Sequence, residues 1–116
     1  MGGTVNWNDA GVLETSVRAG ERGPLIVLSG SAEFTNITQL IEVINPQLSG
    51  GTRQLVIDVS RLRFADSTSI WFLLLTARTM KMHGGSMVLI RPQPAVVRVL
   101  TLVDEEQVIA VRAGSP

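Results

Sequence analysis

A strand–helix–strand pattern in the second half of the chain limits most strongly what this sequence can fold into. Residues 55–59 and 86–90 are nearly continuous apolar runs, which is typical of strands buried on both faces of a parallel sheet. Between them, residues 67–83 carry apolar side chains at helical spacing. Two parallel strands joined by a helix form a βαβ unit, which crosses over right-handed in nearly all proteins. The sequence therefore predicts an α/β fold.

The first half of the chain supplies further elements. Residues 12–18 and 25–28 predict two strands, and the Gly- and Pro-containing turn between them makes an N-terminal β-hairpin. A helix follows, with Thr35 or Asn36 as its N-cap, and Pro46 is expected to end or kink that helix.

The end of the chain adds one more helix and strand. Pro92 and Pro94 precede a predicted helix over residues 95–103, and residues 107–111 predict a last short strand. The expected architecture is a mixed β-sheet with helices packed on it. We expect one domain over residues 1–116, with an ordered core at about 12–111 and short flexible termini.

Composition excludes several classes of function. The chain of 116 residues is 45% hydrophobic and 17% charged, which is typical of a folded domain. Ten acidic residues balance ten Lys and Arg, so nucleic-acid binding through bulk charge is not expected. There is no Cys and only one His, His83, so thiolate or multi-histidine metal sites are excluded. The longest apolar run, residues 70–75, is far below the ~20 residues that span a membrane. No secretory signal pattern is present, so a cytoplasmic protein is expected.

The start of the predicted helix at residue 67 is unusually rich in capping residues. Asp66, Ser67, Thr68 and Ser69 are four consecutive residues of the kind that cap helices, although one is enough. They are either a redundant capping loop or a modification site. Phosphate on a hydroxyl at a helix start meets free backbone N–H groups and the positive end of the helix dipole. Ser67 is then the first candidate acceptor and Thr68 the second.

The same helix is apolar over more than one face. One stripe is wide enough to bury against the sheet, and it consists of Ile70, Leu73, Leu74, Ala77 and Met80. Four further apolar residues lie off that stripe, namely Trp71, Phe72, Leu75 and Met82. Neighbouring helices cover these residues, or they form a binding surface. Trp71 is the candidate anchor of such a surface because Trp is enriched at interface hot spots.

The residues do not form a recognisable catalytic group. Ser67 has no candidate base except His83, about 24 Å away at the other end of the same predicted helix. No Gly-rich phosphate loop is present. Asp58 ends a strand as the phosphoacceptor of a receiver domain does, but the acidic pair and the late Lys of such domains are missing. We expect Asp58 to cap a turn near Ser60, and we expect a non-enzymatic protein without metal or cofactor.

Four segments together resemble the STAS domain, and in particular bacterial anti-sigma factor antagonists. They are Leu-Val-Ile-Asp-Val-Ser at 55–60, Phe-Ala-Asp-Ser-Thr at 64–68, Gly-Gly-Ser-Met-Val-Leu at 84–89 and Pro-Ala-Val-Val-Arg-Val-Leu at 94–100. Their order and spacing match the family from about residue 12 to residue 111. The resemblance implies the STAS fold.

The resemblance also implies a regulatory role in transcription. Antagonists of this kind bind an anti-sigma factor that is also a serine kinase, and so release a sigma factor. The kinase phosphorylates the serine after the motif Asp, here Ser67, and a serine phosphatase reverses the modification. The partner-binding residues expected from the family and the helix pattern are Glu33, Asp66, Ser67, Thr68, Ser69 and Trp71.

Five positions depart from the family pattern. Ser69 stands where the family usually has Gly, and Asp104 where many members have Gly. After the second strand, Ser31, Ala32 and Glu33 stand where the family often has Glu-Leu-Asp, and Glu33 is the conservative replacement among them. An alternative within the fold is a constitutive STAS subunit of a lipid-transport ABC complex or of a stressosome-like scaffold. Stable stoichiometric binding to an ATPase, independent of phosphorylation, would distinguish the transport subunit from an antagonist.

Overall fold

The computed structural model of the chain describes residues 11–114. Its elements alternate after an N-terminal hairpin: β1 (Leu13–Gly20), β2 (Gly23–Ala32), α1 (Ile37–Ser49), β3 (Gln54–Ala65), α2 (Ser67–Met82), β4 (Ser86–Ile90), α3 (Pro94–Val103) and β5 (Ala110–Arg112). A single 3₁₀ turn, Phe34–Asn36, joins β2 to α1. The predicted hairpin, the βαβ unit and the α/β class are confirmed.

The strands form one mixed sheet in the order β1-β2-β3-β4-β5. β1 is antiparallel to β2, and β2, β3, β4 and β5 are parallel to one another. Each crossover moves one strand in the same direction, so right-handed connections place the three helices on the same face. In agreement, α2 contacts both α1 and α3.

The hydrophobic core lies between the helices and that face of the sheet. Ile26, Ile57 and Leu89 are in register on neighbouring strands and are fully buried. The predicted inner stripe of α2, from Ile70 to Met80, is buried against them. None of the helices within residues 11–114 is long and apolar enough to cross a membrane.

Pro46 does not end α1, which was one of the two expectations for it, because the helix continues to Ser49. Pro46 lies in the last turn and is exposed. The N–H that it lacks would bond to the carbonyl of Glu42, which is also an exposed residue. Water can satisfy that carbonyl, so the helix keeps one further turn.

Of the five strands within residues 11–114, only β4 has the predicted bounds, and the differences in β3 and β5 affect the loops that follow or precede them. β3 continues six residues beyond the predicted end, to Ala65, so that Asp66 follows it directly. β5 starts only at Ala110, because the Asp104 carboxylate accepts hydrogen bonds from Val108 N and Ile109 N, each at 2.9 Å. Asp104 is buried, and it holds this loop where a strand was expected.

Candidate functional site at the start of α2

The candidate site lies where β2 and β3 end side by side. Ala32 and Ala65 are partners in the parallel ladder, and Asp66 N donates to Ala32 O at 3.0 Å. The loops that follow parallel strands meet at one edge of the sheet. This geometry brings Glu33, after β2, next to Asp66, after β3.

Asp66 joins these two loops with both of its carboxylate oxygens. Oδ1 accepts from Ser69 N at 2.9 Å, which makes Asp66 the N-cap of α2. Oδ2 accepts from Phe34 N at 2.7 Å. Asp66 was expected to contact a partner; the structure shows that its carboxylate already binds two amides of its own chain. It therefore fixes the start of α2 relative to the β2–α1 connection.

Asn36 organises the other loop. Its Oδ1 accepts from Glu33 N at 2.8 Å, and its Nδ2 donates to Ser31 O at 2.9 Å and to Gly11 O at 2.6 Å. Asn36 is the residue before α1, as predicted, but its side chain makes no capping bond to that helix. The buried amide instead binds three backbone groups, at Gly11, Ser31 and Glu33, and so sets the position of Glu33.

Of the three hydroxyl residues at the start of α2, Ser67 and Thr68 are exposed and Ser69 is buried. Ser67 and Thr68 are exposed in the first turn of α2, and their amides have no hydrogen-bond partner among residues 11–114. An anion attached to the Ser67 hydroxyl would therefore meet two free N–H donors and the positive end of the helix dipole.

Ser69 lies inside the fold and not on its surface. The residue is 0% exposed, and its Oγ has no hydrogen-bond partner among residues 11–114. The expectation that Ser69 contacts a partner directly is wrong, because a fully buried hydroxyl is not available to a protein docking on the surface. The two side-chain atoms that Ser69 has and the family's Gly lacks, Cβ and Oγ, lie inside the fold.

Trp71 lies one helical turn after Ser67 on the same side of α2, because residues four apart share a helix face. Its side chain is 46% exposed, and Leu75 in the next turn is 54% exposed. Met82, near the end of the helix, is also exposed. Of the four apolar residues outside the inner stripe, Phe72 is partly buried against the core. Trp71, Leu75 and Met82 instead face outward.

Two exposed aromatic residues were not identified from the sequence. Phe34, whose amide binds Asp66, is 69% exposed, and Phe64, two residues before Asp66, is 41% exposed. The only signal for them is an aromatic side chain next to each strand end. The accessible residues of this region are named the α2 N-terminal surface: Glu33, Phe34, Phe64, Ser67, Thr68 and Trp71.

Asp58 lies elsewhere and has a structural role, as expected. Its Oδ1 accepts from Ser60 N at 2.9 Å, and its Oδ2 accepts from Arg91 Nη2 at 2.8 Å. Burial acts to raise the pKa of the carboxyl, but the bonds from Ser60 and Arg91, together with the guanidinium charge, outweigh burial and hold the pKa below its ordinary value.

His83, the candidate base that the sequence offered for Ser67, lies far from it. His83 is the C-cap of α2, at the far end of a helix of 16 residues, and its Nδ1 lies 2.9 Å from Thr79 O. Within residues 11–114, no three Asp, Glu or His side chains are placed to hold a metal ion. The surface offers docking contacts and an exposed hydroxyl.

Comparison with known families identifies the class of protein. The family model described as "Mlab, STAS domain" matches residues 15–110. The chain therefore belongs to the STAS domain family. No curated protein is similar enough in sequence to be matched.

Solved structures show the same fold. An anti-sigma factor antagonist from Mycobacterium paratuberculosis has a TM-score of 0.80 and 19% identity, over 90% of this chain and 89% of that one. The antagonist SpoIIAA in its unphosphorylated form has a TM-score of 0.73 and 19% identity, over 88% and 90%. The Bacillus cell fate determinant SpoIIAA in its phosphorylated form has a TM-score of 0.67 and 18% identity, over 88% and 93%.

Proposed function

We propose that this chain is a bacterial, cytoplasmic anti-sigma factor antagonist. It binds an anti-sigma factor of the serine-kinase type through the α2 N-terminal surface and so releases a sigma factor. Phosphorylation of Ser67 by that kinase ends the binding, and a serine phosphatase restores it. The chain itself catalyses no reaction.

The observation that carries this proposal is the setting of Ser67. Its hydroxyl is exposed at the first position of α2, beside free amides, and one turn from the half-exposed Trp71. A kinase can reach such a hydroxyl without unfolding the chain. A partner that covers Trp71 must also approach Ser67, so a modification there acts directly on the contact.

Charge explains how the switch would work. A phosphate adds nearly two negative charges at neutral pH, and the start of α2 can hold them. A partner whose surface fits the unmodified site, with Glu33 and Asp66 already present, meets a much stronger negative field after modification. The solved phosphorylated form of SpoIIAA shares its fold with this chain, which supports a modification that leaves the fold intact.

The first experiment is intact-mass analysis of the protein from its native host, with fragmentation across residues 62–78. Phosphate on Ser67, or on Thr68 as the second choice, supports the proposal. Its absence under both growth and stress contradicts the phosphorylation step.

Binding is tested with matched variants. Ser67→Ala is used to isolate the partner, which must be identified as a serine kinase that phosphorylates wild-type chain at Ser67. Ser67→Asp is expected to weaken this complex at least about tenfold, the effect of ~1.4 kcal/mol. Ser49→Asp adds the same charge at an exposed position at the end of α1 and is expected to bind as wild type does. Equal binding by Ser67→Asp would contradict the switch.

A second candidate is the constitutive subunit of a lipid-transport ABC complex or of a stressosome-like scaffold. It is favoured by the matching family model, whose printed description is Mlab and names no antagonist. The transport subunit predicts a stoichiometric complex with an ATPase that survives Ser67→Asp. It also predicts that Trp71→Ala, which removes the largest side chain of the α2 N-terminal surface, weakens that complex.

A further inference from the structure

β1 lies at the edge of the sheet, and no strand of residues 11–114 pairs with its outer side. β1 has eight residues and pairs only with β2 among residues 11–114. Every one of its residues except Leu13 is exposed. An exposed strand of this length presents a row of unpaired N–H and C=O groups, which is a template for pairing with another chain.

The register of the hairpin shows which backbone groups are free. Val12 O accepts from Ser31 N at 2.8 Å, so Val12 points its carbonyl toward β2. Alternate residues of an antiparallel strand point the same way, so Glu14, Ser16 and Arg18 also direct their backbone groups to β2. The groups of Leu13, Thr15, Val17 and Ala19 therefore point outward.

One face of β1 carries a negative and a positive side chain that can pair with those of a second β1 strand. Glu14 and Arg18 lie on the same face, about 13 Å apart along the strand, too far to pair with each other. Their partners on β2 are the uncharged Ser29 and Leu25, and neither charge forms a salt bridge within residues 11–114.

We propose that β1 pairs antiparallel with β1 of a second copy of this chain, around a two-fold axis at Ser16. In this register Glu14 of each copy lies opposite Arg18 of the other, and Thr15 lies opposite Val17. Each of the four outward-facing residues donates one backbone hydrogen bond and accepts one. The sheets of the two copies join into one continuous sheet.

The charges select this register among those that the backbone allows. Because outward-facing groups must meet outward-facing groups, the axis can move only in whole-residue steps along β1. An axis at Thr15 places Glu14 opposite Ser16, and an axis at Val17 places it opposite Gly20. Only the axis at Ser16 forms two ion pairs, both at positions where the strands approach most closely.

Charge reversal tests the interface. Sedimentation velocity over a concentration series measures the dimer dissociation constant of wild type, Glu14→Arg and Arg18→Glu. Each variant places like charges opposite each other twice, so each is expected to weaken the dimer about tenfold or more. An equimolar mixture of the two variants restores opposite charges at both positions and is expected to dimerise at least as well as wild type. A dimer that is unaffected by either reversal, or a wild type that stays monomeric up to ~1 mM, overturns the proposal.

Amide hydrogen exchange supplies a second readout within the wild-type protein. The amides of Thr15 and Val17 are expected to gain protection as concentration rises, whereas the Ser16 amide, which faces β2, stays protected at all concentrations. Protection of Thr15 and Val17 that does not depend on concentration means that another part of the same chain occupies the edge, and this overturns the proposal.

Discussion

Replacing Ser69 with Ala is expected to stabilise the fold. The Ser69 hydroxyl is fully buried and has no hydrogen-bond partner in the described part of the chain, and burying such a group costs about 1–3 kcal/mol. Ala is also the better helix former, by about 0.5 kcal/mol. The small void left by one oxygen removes part of this gain. The net expectation is about 1 kcal/mol of added stability.

The assay is equilibrium unfolding in urea, followed by circular dichroism. The midpoint is expected to rise with an unchanged slope, because the surface exposed on unfolding is nearly the same. In a thermal scan the same gain corresponds to about 4 °C in Tm for a domain of this size. The cap of α2 is preserved, since Asp66 accepts from the amide of Ser69 and not from its side chain.

Two further variants distinguish the cost of the buried hydroxyl from the effect of helix propensity. Ser69→Gly also removes the hydroxyl, but Gly is about 1 kcal/mol less favourable than Ala in a helix, so it is expected to stay near wild type. Ser67→Ala changes an exposed hydroxyl in the same turn and is expected to change stability by less than about 0.5 kcal/mol. A loss of stability in Ser69→Ala would refute the reasoning, because it would mean that the hydroxyl is bonded in solution.

Two other predictions concern buried or bridging carboxylates. Asp66→Ala is expected to lower the free energy of unfolding by about 1–2 kcal/mol, because it removes the cap of α2 and the hydrogen bond from Phe34 N. Urea unfolding measures this change. An unchanged free energy of unfolding would mean that these two hydrogen bonds do not stabilise the fold. Asp58→Asn is expected to be less stable than wild type at neutral pH. Since the folded pKa of Asp58 lies below its ordinary 3.8, its contribution is complete above that value and is lost as pH falls through the folded pKa. The difference between Asp58→Asn and wild type in urea midpoint should therefore disappear in acid, and a constant difference would contradict the assignment.

Local patterns predicted most of the fold because each depends on residues close in sequence. The apolar run at residues 86–90 became β4 with the same bounds, and the predicted helix from residue 67 became α2. The wrong predictions concern positions where solvent exposure or a side-chain hydrogen bond, and not the local pattern, decides the structure. Pro46 was tolerated because the carbonyl it leaves free is exposed, and Asp104 replaced part of the last predicted strand with a hydrogen-bonded loop.

The sequence named Glu33, Trp71 and the residues at 66–69 for the candidate site, but it did not reveal the contacts that hold them. The cluster at residues 66–69 indicated Ser67, but nothing in it showed that Asp66 also binds Phe34, 32 residues away. The burial of Ser69 likewise depends on how α2 packs against the rest of the fold. A link between two loops arises from the parallel pairing of β2 and β3, which no local pattern reveals.

That link leads to an expectation about the phosphorylated protein. Both oxygens of Asp66 are bonded, so a phosphate on Ser67 does not need to replace them and can take the free amides of Ser67 and Thr68. The added charge lies close to Asp66, but the dipole of α2 and two new charge-assisted bonds offset that repulsion. We therefore expect phosphorylation to change Tm by less than about 4 °C, equivalent to ~1 kcal/mol, while it abolishes partner binding. Thermal scans of phosphorylated and unmodified protein test this, and a large fall in Tm would mean that the switch acts by loosening the start of α2 instead of by charge at its surface.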